Sequence, residues 1–167
     1  MNCEKGCNCV HKATGTEQTL DELDWERGIW GRAANGDLDK LKTKIKDLNS
    51  QDRYGYTALH YACRNNQVQI VRFLLSCPDI CLNHKTNGGA TPLHRAAMSK
   101  MTNSLELLLS NSSCEPMHTD DEGQNFLHKL ARSQSQSTFT SYLSNPKYAL
   151  LASQKDKYGK LPSDYST

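Results

Sequence analysis

Residues 88–97 read GGATPLHRAA, and the tetrapeptide within them, Thr91-Pro92-Leu93-His94, has counterparts in TALH at 57–60 and NFLH at 125–128. His60, His94 and His128 therefore recur every 34 residues. A fixed interval admits three readings: ligands of one metal ion, general bases in three copies of a site, or parts of a repeated building unit. The flanking residues decide among them. Segments 52–75, 86–109 and 120–143 align without a gap, each with a glycine two residues before the Thr or Asn (Gly55, Gly89, Gly123), small residues after the His, and a closing apolar stripe. Self-similarity at a period of about 20 to 50 residues marks a stacked array, in which each unit buries its apolar face against its neighbours.

Each position of the unit has a local physical reading. Thr57, Thr91 and Asn125 suit the helix N-cap, where a side-chain oxygen accepts from an unpaired first-turn amide for about 1 kcal/mol apiece. Pro92 then falls at the first helical position, where its missing N–H costs nothing. Ala62, Ala96 and Ala97 are small so that a second helix can cross closely. That helix shows its face in Ile70, Val71, Leu74 and Leu75, and again in Leu105, Leu108 and Leu109. Residues 29–45 follow the same plan, with Ile29 and Trp30 in the Leu-His slots and Leu38, Leu41 and Ile45 as the stripe, while Asp156 and Gly159 restart the motif.

The pattern Gly-x-Thr-Pro-Leu-His-x-Ala-Ala resembles the ankyrin-repeat family, over roughly residues 25–165 and most specifically in the second and third units. That resemblance implies an all-α solenoid of about four helix-turn-helix units with β-turn tips, capped at both ends. The expected division is a flexible Cys-rich tail over 1–18 and a repeat domain over 19–167, with units at about 25–51, 52–85, 86–119 and 120–155 and a partial one at 156–167. It also implies that His60, His94 and His128 hydrogen-bond loop backbone and link adjacent units. Repeats stacked about 10 Å apart cannot bring equivalent rings to one ion whose Zn–N bonds are about 2 Å long. Where the family places glycine between the two helices, this chain has Gly36, Asn66, Lys100 and Gln134. Asn tolerates the left-handed conformation, but Lys and Gln are expected to adopt it at about 1 kcal/mol. With the poor helix formers of SQSQSTFTS at 133–141, this predicts a stack that frays from its C-terminal side.

Composition narrows the function classes. At 37% hydrophobic, 7% aromatic and a mean hydropathy of −0.71, the chain is lean for a single compact globule and better suited to a stack. A net charge of +2 with Lys and Arg spread along the chain offers no field for a polyanion, so nucleic acid is not an expected partner. No stretch approaches the roughly 20 apolar residues of a membrane span, and the first twenty residues contain no apolar run, so neither a membrane nor export is expected. Seven cysteines, an odd count, point to free thiols in the cytosol or nucleus.

Three clusters carry candidate chemistry. Cys3, Cys7, Cys9 and His11 have the number and type of ligands for zinc or copper(I), at an unusual spacing; a flexible tail with reactive thiols is the preferred reading. Cys77, Cys81 and His84 with Cys114 and His118 fall in the loops after the second helices, where Cys serves as a small hydrophobe. Thr19 stands three residues before Glu22 in a capping-box arrangement, with Leu20 and Leu23 on a shared face; of a partner-binding helix and a lid over the first unit, the lid is the preferred reading. Catalytic motifs are absent: there is no Walker loop, Gly-x-Ser-x-Gly elbow, His-Glu-x-x-His or dinucleotide fingerprint.

The family's concave face usually holds a protein. Carried over position by position, it is expected here to comprise Arg53, Tyr54, Tyr56, Asn87, Asp121 and Glu122 on the tips, with Arg64, Asn65, Met98 and Arg132 on the first helices. Tyr and Arg are enriched in interface hot spots, which puts Arg53, Tyr54, Tyr56 and Arg64 first. The expected function is a monomeric adaptor that binds a protein partner, without a cofactor and without turnover. The competing class is a metal-binding or redox-sensing protein working through the N-terminal cysteines, with zinc as the ion.

Overall fold

The computed structural model describes residue 25 and residues 28–43, 48–133 and 136–166, and every regular element among them is helical. Four helix pairs follow one another: α1 (Ile29–Asn35) with α2 (Leu38–Lys42), α3 (Ala58–Arg64) with α4 (Val68–Ser76), α5 (Pro92–Ala97) with α6 (Asn103–Ser110), and α7 (Phe126–Arg132) with α8 (Gln136–Leu143). A 3-10 turn (Pro146–Tyr148), the short α9 (Ala149–Ala152) and a second 3-10 turn (Pro162–Tyr165) complete the order.

The first helices form one row, α1 on α3, α3 on α5, α5 on α7 and α7 on the Pro162–Tyr165 turn, while α4 packs on α6. Close approach is possible because Ala62, Cys63, Ala96 and Ala97 present almost no bulk at the crossings and are buried. Leu59, Leu93 and Leu127, one residue before each repeated histidine, are buried in the same register. Each such leucine contributes about 2 kcal/mol of apolar burial. From the second helices come Ile70, Val71 and Leu74, then Leu105 and Leu108, all buried, as their spacing requires.

The fourth pair replaces this aliphatic filling with rings. Phe126 meets Tyr148 edge-on at 5.3 Å and Tyr142 at 6.1 Å, with Phe139 buried beside them. Tyr148 reaches this cluster from the extra 3-10 turn, and the glycine spacing accordingly lengthens from Gly89–Gly123 to Gly123–Gly159.

One sequence expectation needs correction. Gly36 (φ 81°) and Asn66 (φ 49°) do take the left-handed conformation between paired helices, but Asn66 is the only non-glycine with positive φ among the described residues, so Lys100 does not. In that unit α5 stops at Ala97, and residues 98–102 make a longer connection than residues 65–67 of the preceding unit. The extra length lets Lys100 avoid the strain altogether. Gln134 lies outside the described residues, as do Thr19, Leu20, Glu22, Leu23 and Ile45.

Candidate interaction surface

The tips are built from an aspartate that satisfies its own turn. Asp52 Oδ1 accepts from the amides of Tyr54 and Tyr56 at 2.8 Å each, Asp120 Oδ1 from Glu122 and Gln124 at 3.0 and 2.9 Å, and Asp156 Oδ1 from Tyr158 and Lys160 at 2.9 and 3.0 Å. Successive tips are then joined through backbone: Asn87 N donates to Tyr54 O at 3.0 Å, Asp121 N to Gly88 O at 3.1 Å and Lys157 N to Glu122 O at 2.9 Å. Gly89 (φ 73°) is required twice over here, because a Cβ would also stand 2.8 Å from Asp121 N. The second aspartate oxygen is taken by the residue nine positions on. Tyr61 Oη donates to Asp52 Oδ2 at 2.6 Å, Lys129 Nζ stands 2.5 Å from Asp120 Oδ2, and Tyr165 Oη donates to Asp156 Oδ2 at 2.6 Å.

Beneath the tips runs a row of imidazoles. His60 Nε2 lies 3.1 Å from Ala90 O and His94 Nε2 3.0 Å from Gln124 O, each reaching the next unit's tip. On the other nitrogen, the Thr57 and Thr91 amides donate to Nδ1 at 3.1 and 3.2 Å. A carbonyl only accepts and an amide only donates, so the proton sits on Nε2 and both rings are neutral. The threonine hydroxyls stand 2.9 and 2.8 Å from the same Nδ1 atoms, so Thr57 and Thr91 hold the ring, and each closes a capping box in which its side chain faces the first-turn amide of the histidine. Asn125 does cap, accepting from Leu127 and His128 amides at 3.0 and 3.3 Å. His128 Nε2 reaches Lys160 O at 3.2 Å. Trp30, in the corresponding slot of the first unit, donates its indole N–H to Ser50 O at 3.1 Å.

A second lacing, absent from the sequence reading, joins the loops after the second helices. Asn49 donates to Asp79 O at 2.6 Å and accepts from Cys81 N at 2.9 Å; Asn83 donates to Ser113 O at 2.9 Å and accepts from Glu115 N at 3.0 Å. The signal was present, since Asn49 and Asn83 are one period apart.

The side formed by the tips and first helices, expected from the family to be concave, carries three adjoining hollows among the described residues, and Arg95 lines all of them. The first adds Arg64, Met98, Lys100 and Met101; the second Tyr54, Tyr56, Arg64 and Thr86; the third Asp120, Asp121, Glu122 and Lys129. Of the residues expected here, Tyr54 (54% exposed), Met98 (50%), Arg53, Arg64, Asp121, Glu122 and Arg132 face solvent. Arg53 stacks on Tyr54 at 4.8 Å, and Arg132 leans over Tyr165 at 5.6 Å. Asn65 and Asn87 are exposed but spend their amides on Ala34 O and Arg53 O, both at 3.0 Å, which makes them struts between units. Tyr56 is half-buried against Tyr61, at 5.3 Å between ring centres. Arg95 and Met101 (59% exposed) were not anticipated, and neither residue's place on this side follows from its own unit alone.

A family model for ankyrin repeats in three copies matches residues 31–120. The chain belongs to the ankyrin-repeat family. Among curated proteins it is similar to ankyrin repeat domain-containing protein 39 of Homo sapiens, 47% identical over 78 residues that make up 44% of this chain and 43% of that protein. The Bos taurus protein of the same name is 53% identical over 68 residues, 38% of this chain and 37% of its own. A putative ankyrin repeat protein of Rickettsia bellii is 49% identical over 41 residues, 25% of this chain and 42% of that one. The chain thus spans about two-fifths of the length of the curated relatives it matches.

The electrostatics of the ankyrin stack are dominated by burial. Burial lowers His60 and His94 to about 4, against a smaller upward pull from the carbonyls of Ala90 and Gln124, and lowers His128 as well. The Cys63 thiol is pushed far up by burial and Cys114 to about 11, so both stay protonated and unreactive. Burial raises the Asp156 carboxyl, yet hydrogen bonds from Tyr165, Gln124 and the Lys160 and Tyr158 amides outweigh it and hold the group well below the usual range. Among the described residues no group of three or more His, Cys, Asp or Glu is placed to hold a metal, including Cys77, Cys81, His84, Cys114 and His118. Cys3, Cys7, Cys9 and His11 lie outside the described residues. No helix among the described residues is long and apolar enough to cross a membrane.

Proposed function

We propose that this protein is a protein-interaction module that binds its partner on the concave side of the ankyrin stack, acting by association and not by turnover. The observation that carries this is the run of three hollows sharing Arg95, bordered by exposed Tyr54, Met98 and Met101. Large side chains left in water on one side of a stack are what an interface leaves uncovered. Arg53, Tyr54, Tyr56, Arg64 and Met98 make the central contacts in this reading, with Asp121, Glu122 and Arg132 at the rim, and Asn65 and Asn87 keeping the surface rigid. A protein working this way functions as a monomer in the cytosol or nucleus and needs no cofactor.

The test is affinity purification with the wild-type chain and with Tyr54→Ala/Met98→Glu, both checked for folding by circular dichroism. Specific partners of the wild type are expected to be lost on the variant. If every partner is retained, the concave side is not the binding surface.

A further inference from the structure

The third unit differs from its neighbours at one position, and a charge is left over as a result. In the second, fourth and fifth units the first tip residue is Asp52, Asp120 or Asp156, whose outer oxygen is taken by the residue nine positions ahead, Tyr61, Lys129 or Tyr165. The third unit has Thr86 there, whose single oxygen accepts from Ala90 N at 3.2 Å, and the residue nine positions ahead is Arg95. Arg95 therefore has no tip carboxylate in its own unit, and the acidic residues that share a hollow with it, Asp120, Asp121 and Glu122, belong to the next unit. Its guanidinium lies over the Tyr56 ring at 4.8 Å with Nη1 3.8 Å from Met98 Sδ, and its Nε is buried without a hydrogen-bond partner. Arg64 shares two hollows with it, and neither of those hollows is lined by an acidic residue.

We propose that the groove between the second and third units receives a carboxylate from an acidic peptide segment, held by Arg95 and Arg64, with a neighbouring apolar side chain resting on Met98 and Met101. This rests on reading the concave side as a protein-binding surface and adds the chemistry of the bound segment. A carboxylate is the right group because the equivalent slot of three other units is filled by one. Guanidinium and carboxylate make paired, charge-assisted hydrogen bonds that neither partner makes as well with a neutral amide. A nucleic acid strand is disfavoured, since exposed Asp121 and Glu122 border the adjoining hollow and repel a continuous polyanion.

The experiment is selection of random dodecapeptides displayed on phage against the full chain, followed by titration of a selected peptide into wild-type, Arg95→Gln and Thr86→Asp proteins. Thr86→Asp restores the missing tip carboxylate, so it is expected to fold at least as stably as wild type while its own Asp occupies Arg95. The selected peptides should be enriched in Asp and Glu beside an apolar residue. Binding should weaken about tenfold on either variant and with added salt. Peptides that perturb the concave side in NMR spectra yet carry no acidic enrichment, or that bind Thr86→Asp as tightly as wild type, would overturn this inference and leave the interaction surface standing. Tighter binding of a phosphorylated peptide or of a single-stranded oligonucleotide would overturn it also. If no peptide is selected, or those selected perturb only residues away from the concave side, both readings fall together.

Discussion

Acid should loosen this stack in a predictable pH window, because its inter-unit rings are buried in the neutral form. In the folded chain burial holds His60 and His94 at about 4, whereas in an unfolded chain the same rings titrate near 6.5. Between those values the unfolded state binds protons that the folded state refuses. The contribution to stability is therefore fully present above about pH 6.5 and is lost as pH falls toward 4. The loss is roughly 1–2 kcal/mol per ring for each pH unit, so about 3 kcal/mol per unit for the pair. Against a total stability of about 5–15 kcal/mol, that shift is large. Its structural cause is specific: Nδ1 of each ring already accepts the threonine amide at 3.1 or 3.2 Å, so a proton placed there would face an N–H. Urea unfolding followed by circular dichroism, from about pH 7.5 to about pH 5, should show the midpoint falling steeply below about pH 6.5. His60→Asn should be less stable at neutral pH but lose about half of that slope. His128 repeats the arrangement, with the Asn125 amide donating to Nδ1 at 3.3 Å and Nε2 3.2 Å from Lys160 O, and burial lowers it in the same direction. A midpoint independent of pH over this range, or His60 and His94 resonances titrating near 6.5 in the folded chain, would refute the reasoning.

Two further outcomes concern the stack itself. Asn83→Ala removes hydrogen bonds to Ser113 O and from Glu115 N at 2.9 and 3.0 Å and should cost about 1–2 kcal/mol in urea unfolding; an unchanged midpoint would show the loop lacing to be incidental. Hydrogen exchange should be faster over residues 126–143 than over 58–75, because α8 is drawn from a Ser-, Gln- and Thr-rich segment and buries Phe139 alone; equal protection would contradict fraying from that side.

The repeat was legible in the sequence because each unit encodes itself locally. A positive-φ glycine, an N-cap two residues on, a histidine at the third helical position and small residues at the helix crossing are all fixed within about twenty residues of chain. The binding surface was less legible. Asn65 and Asn87 sit where partner contacts were expected, yet their amides reach Ala34 O and Arg53 O, 31 and 34 residues away, and whether a polar side chain serves a neighbour or a ligand depends on what stands across the gap. Lys100 misled for a related reason: its turn conformation follows from where α5 stops, which local propensity does not set.

The sequence by itself determined the unit, its period and the direction in which units stack, since those follow from the side-chain chemistry of one repeat copied with small changes. Only the tertiary structure decided which charges remain available. Arg95 has the same local sequence role as Tyr61 and Lys129, but it meets no tip carboxylate because Thr86 stands there, and Tyr56 from the preceding unit lies beneath it. Pairing of charges depends on distances between units, and those distances exist only once the units are stacked.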